Sequence, residues 1–463
     1  MKNRLLSFIL SLTVASAALA ATPKYIFYYI GDGMGMGQVM SAECYNRLVR
    51  GSDKPLLMMQ FPVASTITTY SASSPVTDSA AAGTALSTGY KTNNGMLGVT
   101  PDSAAVTSVA KELFDMGYGV GIVTSVAPDD ATPGAFYSHV PKRSMYYEIG
   151  KDAASCGYDF IGGANLRGVK DKKGNPTDLM QVFAENNVAV VRGIDALNAT
   201  DSRRLVLLNT DSISVNDIGY TIDSIPGVLT LPVMTEACLR HLDEKNGHEK
   251  FFMMVEGGNI DHGGHGNDAG TIIKEVLNFQ EAIKVGYDFY LAHPEETLII
   301  ITADHETGGM GLGNNIVGYD LHPHYYDYQK VSKDTFSDYC KAIMKSRRIF
   351  EWEDMQEFLT EKLGFWKYVP LTDDQTVALK DSFEKCFKKR EGEDQKTLYN
   401  NFNEFTTLVF RTLDNFTGIG WTTNGHTGGL VPVYAIGAGA EKFASFSDNT
   451  DIPKRIRELV GIK

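Results

Sequence analysis

The chain has 463 residues, a formal net charge of −13 and 43% hydrophobic residues. This acidic balance does not provide the broad basic surface that nucleic-acid binding requires, so nucleic acid is not expected as an obligate partner. The length exceeds that of one typical hydrophobic core, and we expect one large α/β domain with an insertion, or two domains.

The amino-terminal residues have the organisation of a secretory signal peptide. Met1–Arg4 is basic, Leu5–Leu10 is mostly apolar, and Ala18–Ala20 ends the stretch with an A-x-A pattern. We therefore expect cleavage near Ala20 and export to the periplasm or beyond the cell. A membrane anchor is disfavoured because the apolar stretch is short for a span, and no later segment is apolar for about 18 residues. No membrane partner is expected.

Short apolar runs predict a doubly wound, mainly parallel sheet flanked by helices. Several runs are apolar on both faces, which is typical of buried parallel strands. Helical spacing in Ser103–Met116 and Thr271–Tyr287 predicts helices between them. The predicted strands are Tyr25–Ile30, Val63–Tyr70, Val120–Val123, Leu205–Leu208, Phe251–Val255, Leu298–Thr302 and Val431–Ile436.

The composition changes between residues 322 and 421, where aromatic and charged residues dominate. Helical periodicity in Asp354–Leu363 and Thr376–Cys386 predicts a mainly helical insertion there, while residues 21–321 and 422–463 form the α/β domain. The 322–421 insertion could lie over a crevice as a lid, a substrate sieve or a subunit contact. A surface lobe without any such role is the alternative.

Cysteine spacing leaves the redox state open. The five cysteines show no C-x-x-C pair, and an exported chain could form one or two disulfides or keep five free thiols. They are Cys44, Cys156, Cys238, Cys340 and Cys386.

Three glycine-rich segments collect Asp and His at spacings that suit metal ions. They are Glu256–His265, Thr302–His305 and Asn424–Thr427, and the first two follow predicted strands. Residues just past the carboxyl ends of strands converge on one crevice in an open α/β sheet. His nitrogen with carboxylate oxygen, without thiolate, is typical of a catalytic zinc site. The candidate ligands are Asp261, His265 and His426 for one ion, and Asp304 with His305 for another.

A further carboxylate follows the first predicted strand. Gly31–Gly37 contains Asp32 directly after Ile30, and it does not fit the dinucleotide pattern G-x-G-x-x-G because Met36 interrupts it. Asp32 suits a metal bridge, with glycines that permit close backbone approach.

Ser79 is the candidate nucleophile. Asp78 can cap a helix whose first turn contains Ser79, where helix amides and the helix dipole favour an anion. A metal ion can activate a serine hydroxyl without a histidine base. The alternative is an Ala-rich helix whose capping Asp serves structure only.

Together these motifs resemble the alkaline phosphatase family. The matching segments occur in the family's order and span most of the chain outside the signal peptide and the 322–421 insertion. The resemblance implies an alkaline phosphatase-like fold and hydrolysis of small phosphate monoesters through a phosphoserine intermediate. The segments are Gly31–Gly33, Thr77–Ala81, Asp130–Pro133, Glu256, Asp261, His265, Asp304–His305 and His426.

The resemblance also implies a role for each matched residue. Ser79 would be the nucleophile, and Arg143 would clamp the phosphate with its planar fork. Oxygen ligands alone agree with Mg²⁺ as the third ion. The implied ligands are Asp261, His265 and His426 for the first Zn²⁺, Asp304 and His305 for the second, and Asp32, Thr132 and Glu256 for Mg²⁺, with Asp32 bridging to the second zinc.

Two positions differ among members of the family. Asp130 would act on the third ion through water, and other members carry His at this position. His262 stands where some members have Lys and others His; it could hold a water, contact phosphate or serve structure only. This combination leaves the affinity for the third ion open.

Other functions stay in view. A phosphodiesterase of the same superfamily shares the two-metal core, although Thr132, Glu256 and Arg143 favour a dianionic monoester. A sulfatase would need C/S-x-P-x-R at the nucleophile, which Asp78–Ala82 lacks. A non-enzymatic zinc or phosphate scavenger is a third hypothesis. The family is commonly dimeric, and the insertion could either block or build a homodimer interface.

Overall fold

A ten-stranded sheet forms the centre of the molecule, in a computed structural model that describes residues 22–210, 214, 216–346 and 349–462. The predicted signal peptide lies outside these residues. Within them, no helix has both the length and the apolar character needed to cross a bilayer. The strands are β1 (Tyr25–Ile30), β2 (Val63–Thr68), β3 (Gly119–Thr124), β4 (Phe160–Gly163), β5 (Ala189–Arg192), β6 (Leu205–Leu208), β7 (Phe251–Glu256), β8 (Thr297–Thr302), β9 (Glu306–Thr307), β10 (Gly311–Leu312), β11 (Gln395–Lys396), β12 (Asn401–Phe402), β13 (Ile419–Gly420), β14 (His426–Thr427), β15 (Val431–Gly437) and β16 (Ser447–Asp448).

The sheet order is β16-β2-β15-β8-β1-β7-β3-β4-β6-β5. All pairs are parallel except those that β15 makes with β2 and β8. The central strands β1, β7 and β8 are almost wholly buried, which explains their continuous apolar sequences. The predicted α/β fold with a mainly parallel sheet is therefore confirmed.

Helices cover both faces of this sheet, as two neighbouring tyrosines of β1 show. The Tyr28 hydroxyl donates to the Leu86 carbonyl of one helix at 3.3 Å, and the Tyr29 hydroxyl donates to the Ala282 carbonyl of another at 3.0 Å. Successive strand residues point to opposite faces, so these helices lie on opposite sides. The helices are α1 (Met36–Leu48), α2 (Ser79–Thr88), α3 (Val109–Asp115), α4 (Ala131–Gly134), α5 (Tyr146–Ser155), α6 (Leu179–Glu185), α7 (Gly193–Ala199), α8 (Leu231–Arg240), α9 (Asn259–Gly266), α10 (Ala269–Ala292), α11 (Lys333–Lys345), α12 (Trp352–Leu363), α13 (Asp373–Phe383), α14 (Glu404–Thr417) and α15 (Asp451–Val460).

Some elements differ from their predictions. The predicted helix Ser103–Met116 begins only at Val109, because the Ser108 side chain caps it and Ser103 has a positive φ of 67°. Strand β4 was not predicted because its four residues end in two glycines. Strand β5 was not predicted because it is short and only half-buried.

Residues 322–421 leave and rejoin the rest of the molecule through neighbouring segments. Strands β10 and β13 pair antiparallel, with Gly311 opposite Gly420, so the intervening chain starts and ends at one place. That chain contains α11–α14 and the small hairpin of β11 and β12. The division into domains remains a prediction. All five cysteines, which lie in the described part of the chain, are free thiols.

The parallel register places the chain segments that follow three strands at one level. Ile30 of β1 lies opposite Glu256 of β7 on one side and Thr302 of β8 on the other. The residues that follow these strands therefore emerge together at the carboxyl edge of the sheet. This edge is where the candidate site forms.

Glu275 of α10 provides a test of the packing behind that edge. Burial raises its pKa to about 7, and its Oε1 accepts a hydrogen bond from the Thr221 amide at 2.7 Å. Because the folded pKa lies above the unfolded value, this carboxyl's contribution to stability is complete below about pH 4 and is lost as pH rises through about 7. Glu275→Gln removes the titration and keeps the acceptor, so the urea midpoint of the variant should fall less between pH 5 and pH 9. Glu281→Gln, at an exposed position of the same helix, is the control; equal slopes in all three proteins would contradict the assignment.

Candidate functional site

The predicted site residues lie together at the carboxyl edge of the sheet. The end of β7, helix α9 and the loops after β1 and β8 supply most of them, α2 supplies the serine, and β14 supplies the last histidine. Most are buried, so the crevice is largely shielded from water. The residues are Asp32, Ser79, Asp130, Thr132, Arg143, Glu256, Asp261, His262, His265, Asp304, His305 and His426.

One cluster of donors surrounds the serine hydroxyl. The Ser79 Oγ lies 3.1 Å from the His305 Nε2. The same nitrogen lies 3.4 Å from Asp32 Oδ1 and 3.2 Å from Asp304 Oδ2. One nitrogen, two carboxylate oxygens and one hydroxyl therefore converge on a small volume. Four such donors fit a tetrahedral metal site.

A second cluster lies beside the first. The His265 Nε2 is 3.4 Å from Asp261 Oδ2, and the His426 Nε2 is 3.7 Å from Asp261 Oδ1. The two histidine nitrogens are 3.1 Å apart. The rings of His426 and His305 stack with centroids 3.6 Å apart, which joins the clusters. Three protein donors with a free position suit a catalytic metal site.

Oxygen atoms predominate on the far side of Asp32. The Thr132 hydroxyl donates to Asp32 Oδ2 at 3.3 Å, whereas Asp32 Oδ1 faces His305. The two oxygens of Asp32 thus point towards different groups, as a bridging carboxylate requires. The carboxylate of Glu256 lies nearby and accepts a hydrogen bond from Thr124. These oxygens fit a hard cation.

The crevice concentrates negative charge without enough hydrogen bonds to balance it. Asp32 Oδ1, Glu256 Oε1 and Asp304 Oδ2 are buried and accept no well-aligned hydrogen bond from any described residue. Burial raises the pKa of Glu256 to about 8 and that of Asp304 to about 7. Buried carboxylates are costly unless they are paired or bind metal. The donor types and the unpaired oxygens therefore fit bound metal cations.

Each histidine of the two clusters is oriented through its Nδ1 atom. The Nδ1 of His265 lies 2.6 Å from the Asn424 carbonyl, and that of His426 lies 2.8 Å from the Thr77 carbonyl. His305 Nδ1 lies 3.2 Å from the Thr307 hydroxyl. Holding one ring nitrogen directs the other towards the crevice. Sequence reasoning did not single out Thr307, and it named Asn424 only as the first residue of the segment that carries His426.

The serine stands at a helix amino terminus. Ser79 is the first residue of α2, and the Asp78 side chain caps this helix by accepting from the Ala81 amide at 3.0 Å. The free amides of the first turn and the helix dipole favour an anion at this position. The capping arrangement is the one that the sequence predicted.

Two arginines share Asp130. Arg143 lies 3.3 Å from Asp130 Oδ1 and 3.4 Å from Asp78 Oδ2, and Arg167 lies 3.0 Å from Asp130 Oδ2. Burial alone would raise the pKa of Asp130, but the two guanidinium groups outweigh it and lower that pKa. Arg167 was not found from the sequence. The backbone of Arg167 is positioned by Asp129, whose Oδ1 accepts a hydrogen bond from the Arg167 amide at 3.0 Å.

Among the described residues, His262 belongs to neither of the two donor clusters. Its ring contacts the Tyr399 ring with centroids 3.9 Å apart, and burial lowers its pKa to about 4. A neutral imidazole against an aromatic ring has a packing role in this structure. Tyr399 belongs to the 322–421 insertion, which therefore reaches the site.

The chain matches the family model for alkaline phosphatase over residues 23–159 and 151–462. It is 30% identical over 464 residues to alkaline phosphatase 3 of Bacillus subtilis (strain 168), which covers 94% of this chain and 88% of that protein. The cold-active alkaline phosphatase of a psychrophilic Shewanella sp. is 25% identical with a TM-score of 0.79, covering 94% of this chain and 99% of that one. The Thermus thermophilus alkaline phosphatase is also 25% identical, with a TM-score of 0.77 and coverage of 98% and 96%. The similarity thus extends over nearly the whole chain.

Arg167 should influence anion binding through Asp130. In Arg167→Gln, Asp130 keeps only Arg143 as a guanidinium partner and should hold it more tightly, away from an incoming anion. Affinity for inorganic phosphate should fall about tenfold, the order of one charge-assisted hydrogen bond, in isothermal titration calorimetry. Arg203→Gln, at an exposed position, is the control. Unchanged affinity in Arg167→Gln would refute this role.

Proposed function

Because the chain belongs to the alkaline phosphatase family, we propose that it hydrolyses small phosphate monoesters to an alcohol and inorganic phosphate. The observation that carries this proposal is the 3.1 Å approach of Ser79 Oγ to His305 Nε2, beside the carboxylates of Asp32 and Asp304. A serine hydroxyl surrounded by metal-type donors at a helix amino terminus suits attack on a phosphoryl group.

Two Zn²⁺ ions and one Mg²⁺ ion are the proposed cofactors. When bound, such ions would stabilise negative charge on the attacking and leaving oxygens and lower the pKa of coordinated water. The His-containing clusters support zinc, and the oxygen-rich group supports magnesium. The proposed ligands are Asp261, His265 and His426 for the first zinc, Asp304 and His305 for the second, and Thr132 and Glu256 for magnesium, with Asp32 between the last two ions.

Ser79 is the proposed nucleophile. Its hydroxyl would lose its proton to solvent, and its oxygen would attack the phosphorus opposite the ester oxygen to form a phosphoserine, while amides at the start of α2 face the phosphoryl oxygens. The P–O bond to the leaving group would break, and the departing oxygen would take a proton from water to give the alcohol. Water would then attack the phosphoserine from the side that the alcohol has left. Each step inverts the configuration at phosphorus, so the overall reaction retains it.

Arg143 is the proposed phosphate clamp. Its guanidinium is fixed between Asp78 and Asp130, so its planar fork is oriented before an anion arrives. The lowered pKa of Asp130 keeps that carboxylate ionised and able to hold both arginines. Asp130 could also act through water on the third ion, and His262 could serve as a supporting residue beside Asp261.

Export is a separate part of the proposal. The pattern of Met1–Ala20 supports cleavage near Ala20 and a location in the periplasm or outside the cell. Amino-terminal sequencing of protein recovered after export would give Ala21 as the first residue if this is correct. A retained Met1 would contradict it.

Two substitutions separate the proposed roles. Ser79→Ala should retain bound zinc, form no phosphoenzyme and lose at least about a thousandfold in kcat/KM, because it lacks the nucleophile. His426→Ala should lose zinc and turnover together, because it removes one of three donors of a metal site. Metal content is measured by mass spectrometry, phosphoenzyme by trapping at low pH, and turnover with p-nitrophenyl phosphate.

The exposed His324, which lies outside the site, gives the control variant His324→Ala, which should keep both metal and turnover. Near-normal turnover in Ser79→Ala would refute the covalent step. In the unmodified protein, faster hydrolysis of bis(p-nitrophenyl) phosphate than of the monoester would instead favour a phosphodiesterase. Phosphate binding without hydrolysis of either ester, with zinc and magnesium present, would favour a scavenger.

A further inference from the structure

A small hairpin of the 322–421 insertion lies at the mouth of the site. It comprises Gln395–Lys396 and Asn401–Phe402, paired antiparallel, and the turn between them, and we call it the 395–402 hairpin. In the turn, the Thr397 amide donates to the Asn400 carbonyl at 2.9 Å. The tip of this turn carries Leu398 and Tyr399.

The base of the hairpin is tied to the metal-ligand loops. The Gln395 Nε2 donates to Asn424 Oδ1 at 2.7 Å, and the Asn424 carbonyl is the group that orients His265. On the other side, the buried Lys333 donates to the Gln395 Oε1 at 3.3 Å and places its ammonium 4.6 Å from the centre of the Phe402 ring. The hairpin is thus held in a defined position relative to the crevice.

The tip is fixed as well. The Lys341 ammonium donates to Asn400 Oδ1 at 2.9 Å, next to Tyr399. The Tyr399 ring contacts the His262 ring at 3.9 Å and the edge of the His265 ring at 5.2 Å, measured between centroids. Tyr399 therefore stands directly beside the helix that carries metal ligands.

Leu398 projects beside the same opening with little cover. Its exposed fraction is 59%, yet it lines a cavity of about 460 Å³ together with Tyr399, Arg143 and His426. Pockets for organic ligands span about 300–1,000 Å³ and combine apolar walls with a few charged groups. An exposed leucine beside two charged or metal-binding side chains gains burial only when a ligand enters.

A second aromatic ring lines this cavity beside polar side chains. Tyr146 lines it, and the Arg167 guanidinium lies 5.1 Å from the centre of the Tyr146 ring and donates to its hydroxyl at 3.0 Å. Tyr146 is thus held by a cation on one side. Aromatic rings favour ring-bearing partners through stacked or edge-on contacts.

The cavity borders the proposed reaction centre. Asp78, the neighbour of Ser79, and His426 both line it, so it is continuous with the proposed reaction centre. A phosphate held by Arg143 and attacked by Ser79 would direct its ester group into this space. Arg167 and Asn216 also line this space, and its apolar or aromatic surface comes from Leu398, Tyr399 and Tyr146.

We infer that Leu398, Tyr399 and Tyr146 form a leaving-group subsite that selects phosphate monoesters whose alcohol carries an aromatic or heteroaromatic ring. The inference rests on the proposed phosphomonoesterase function and adds a substrate class to it. It also assigns a role to the 322–421 insertion, whose 395–402 hairpin supplies two of these three residues.

The test compares two alkyl esters whose chemistry at phosphorus is similar. In the unmodified protein, kcat/KM for 2-phenylethyl phosphate should exceed that for ethyl phosphate by about tenfold, the order expected for partial burial of a phenyl ring. This ratio should fall about threefold in Leu398→Ser and about fivefold in Tyr399→Leu. Leu291→Ser is the matched control, because Leu291 is also 59% exposed and lies in the last turn of α10; its ratio should not change.

Binding of non-hydrolysable analogues separates this inference from the proposed function. Calorimetry with 2-phenylethylphosphonate and ethylphosphonate should show the same preference and the same losses in the two hairpin variants. A preference for the ring in binding, without turnover of either ester, would support the subsite and overturn the phosphatase function. Two results would overturn the subsite while leaving the phosphatase function intact. One is equal turnover of the two esters together with equal affinities for the two phosphonates. The other is a ratio of phenylethyl to ethyl compound that stays unchanged in both Leu398→Ser and Tyr399→Leu.

Discussion

The burial of several carboxylates in one crevice is the constraint on which the rest of this structure depends. Asp32, Glu256, Asp261 and Asp304 are all less than a tenth exposed, and too few hydrogen bonds reach them to replace water. Carboxylates buried in this way can remain ionised only if cations bind beside them. The parallel register of β1, β7 and β8 creates the crowding, because it ends three strands at one level. Cation binding at the proposed metal sites and the stability of the fold would therefore depend on the same arrangement.

Around this centre, the protein uses residues from distant parts of the chain to hold its histidines and arginines. Asn424 orients His265 and is itself held by Gln395 of the 322–421 insertion. Asp129 and Asp130, adjacent in sequence, hold the backbone and the side chain of Arg167. The insertion is thus linked by a hydrogen bond to the segment that carries His426, and changes within it can reach the proposed site without altering a candidate ligand.

Much of this could be predicted from the sequence, for identifiable reasons. Buried parallel strands have continuous apolar sequences, so Tyr25–Ile30 and Leu298–Thr302 were recognisable, and the polar residues directly after them were natural candidates for a site. Arg167 and Tyr399 were not predicted, because each reaches the crevice from a short turn or hairpin whose position depends on distant contacts. The predicted start of α3 at Ser103 was wrong. The apolar spacing before Ser108 resembled that of a helix, but the local turn geometry prevents a helix there.

The antiparallel strand β15 has a consequence for the order in which the protein matures. It lies between β8 and β2, so β2 and β16 join the sheet only through it, and the adjacent β14 carries His426. Strands β14 and β15 both follow residues 322–421 in the sequence. A partly made or truncated polypeptide therefore lacks His426, the third donor of the proposed first metal site, and the strand that joins β2 and β16 to the rest of the sheet. Contacts between such distant segments also form slowly. The proposed first metal site should therefore become complete only late in folding.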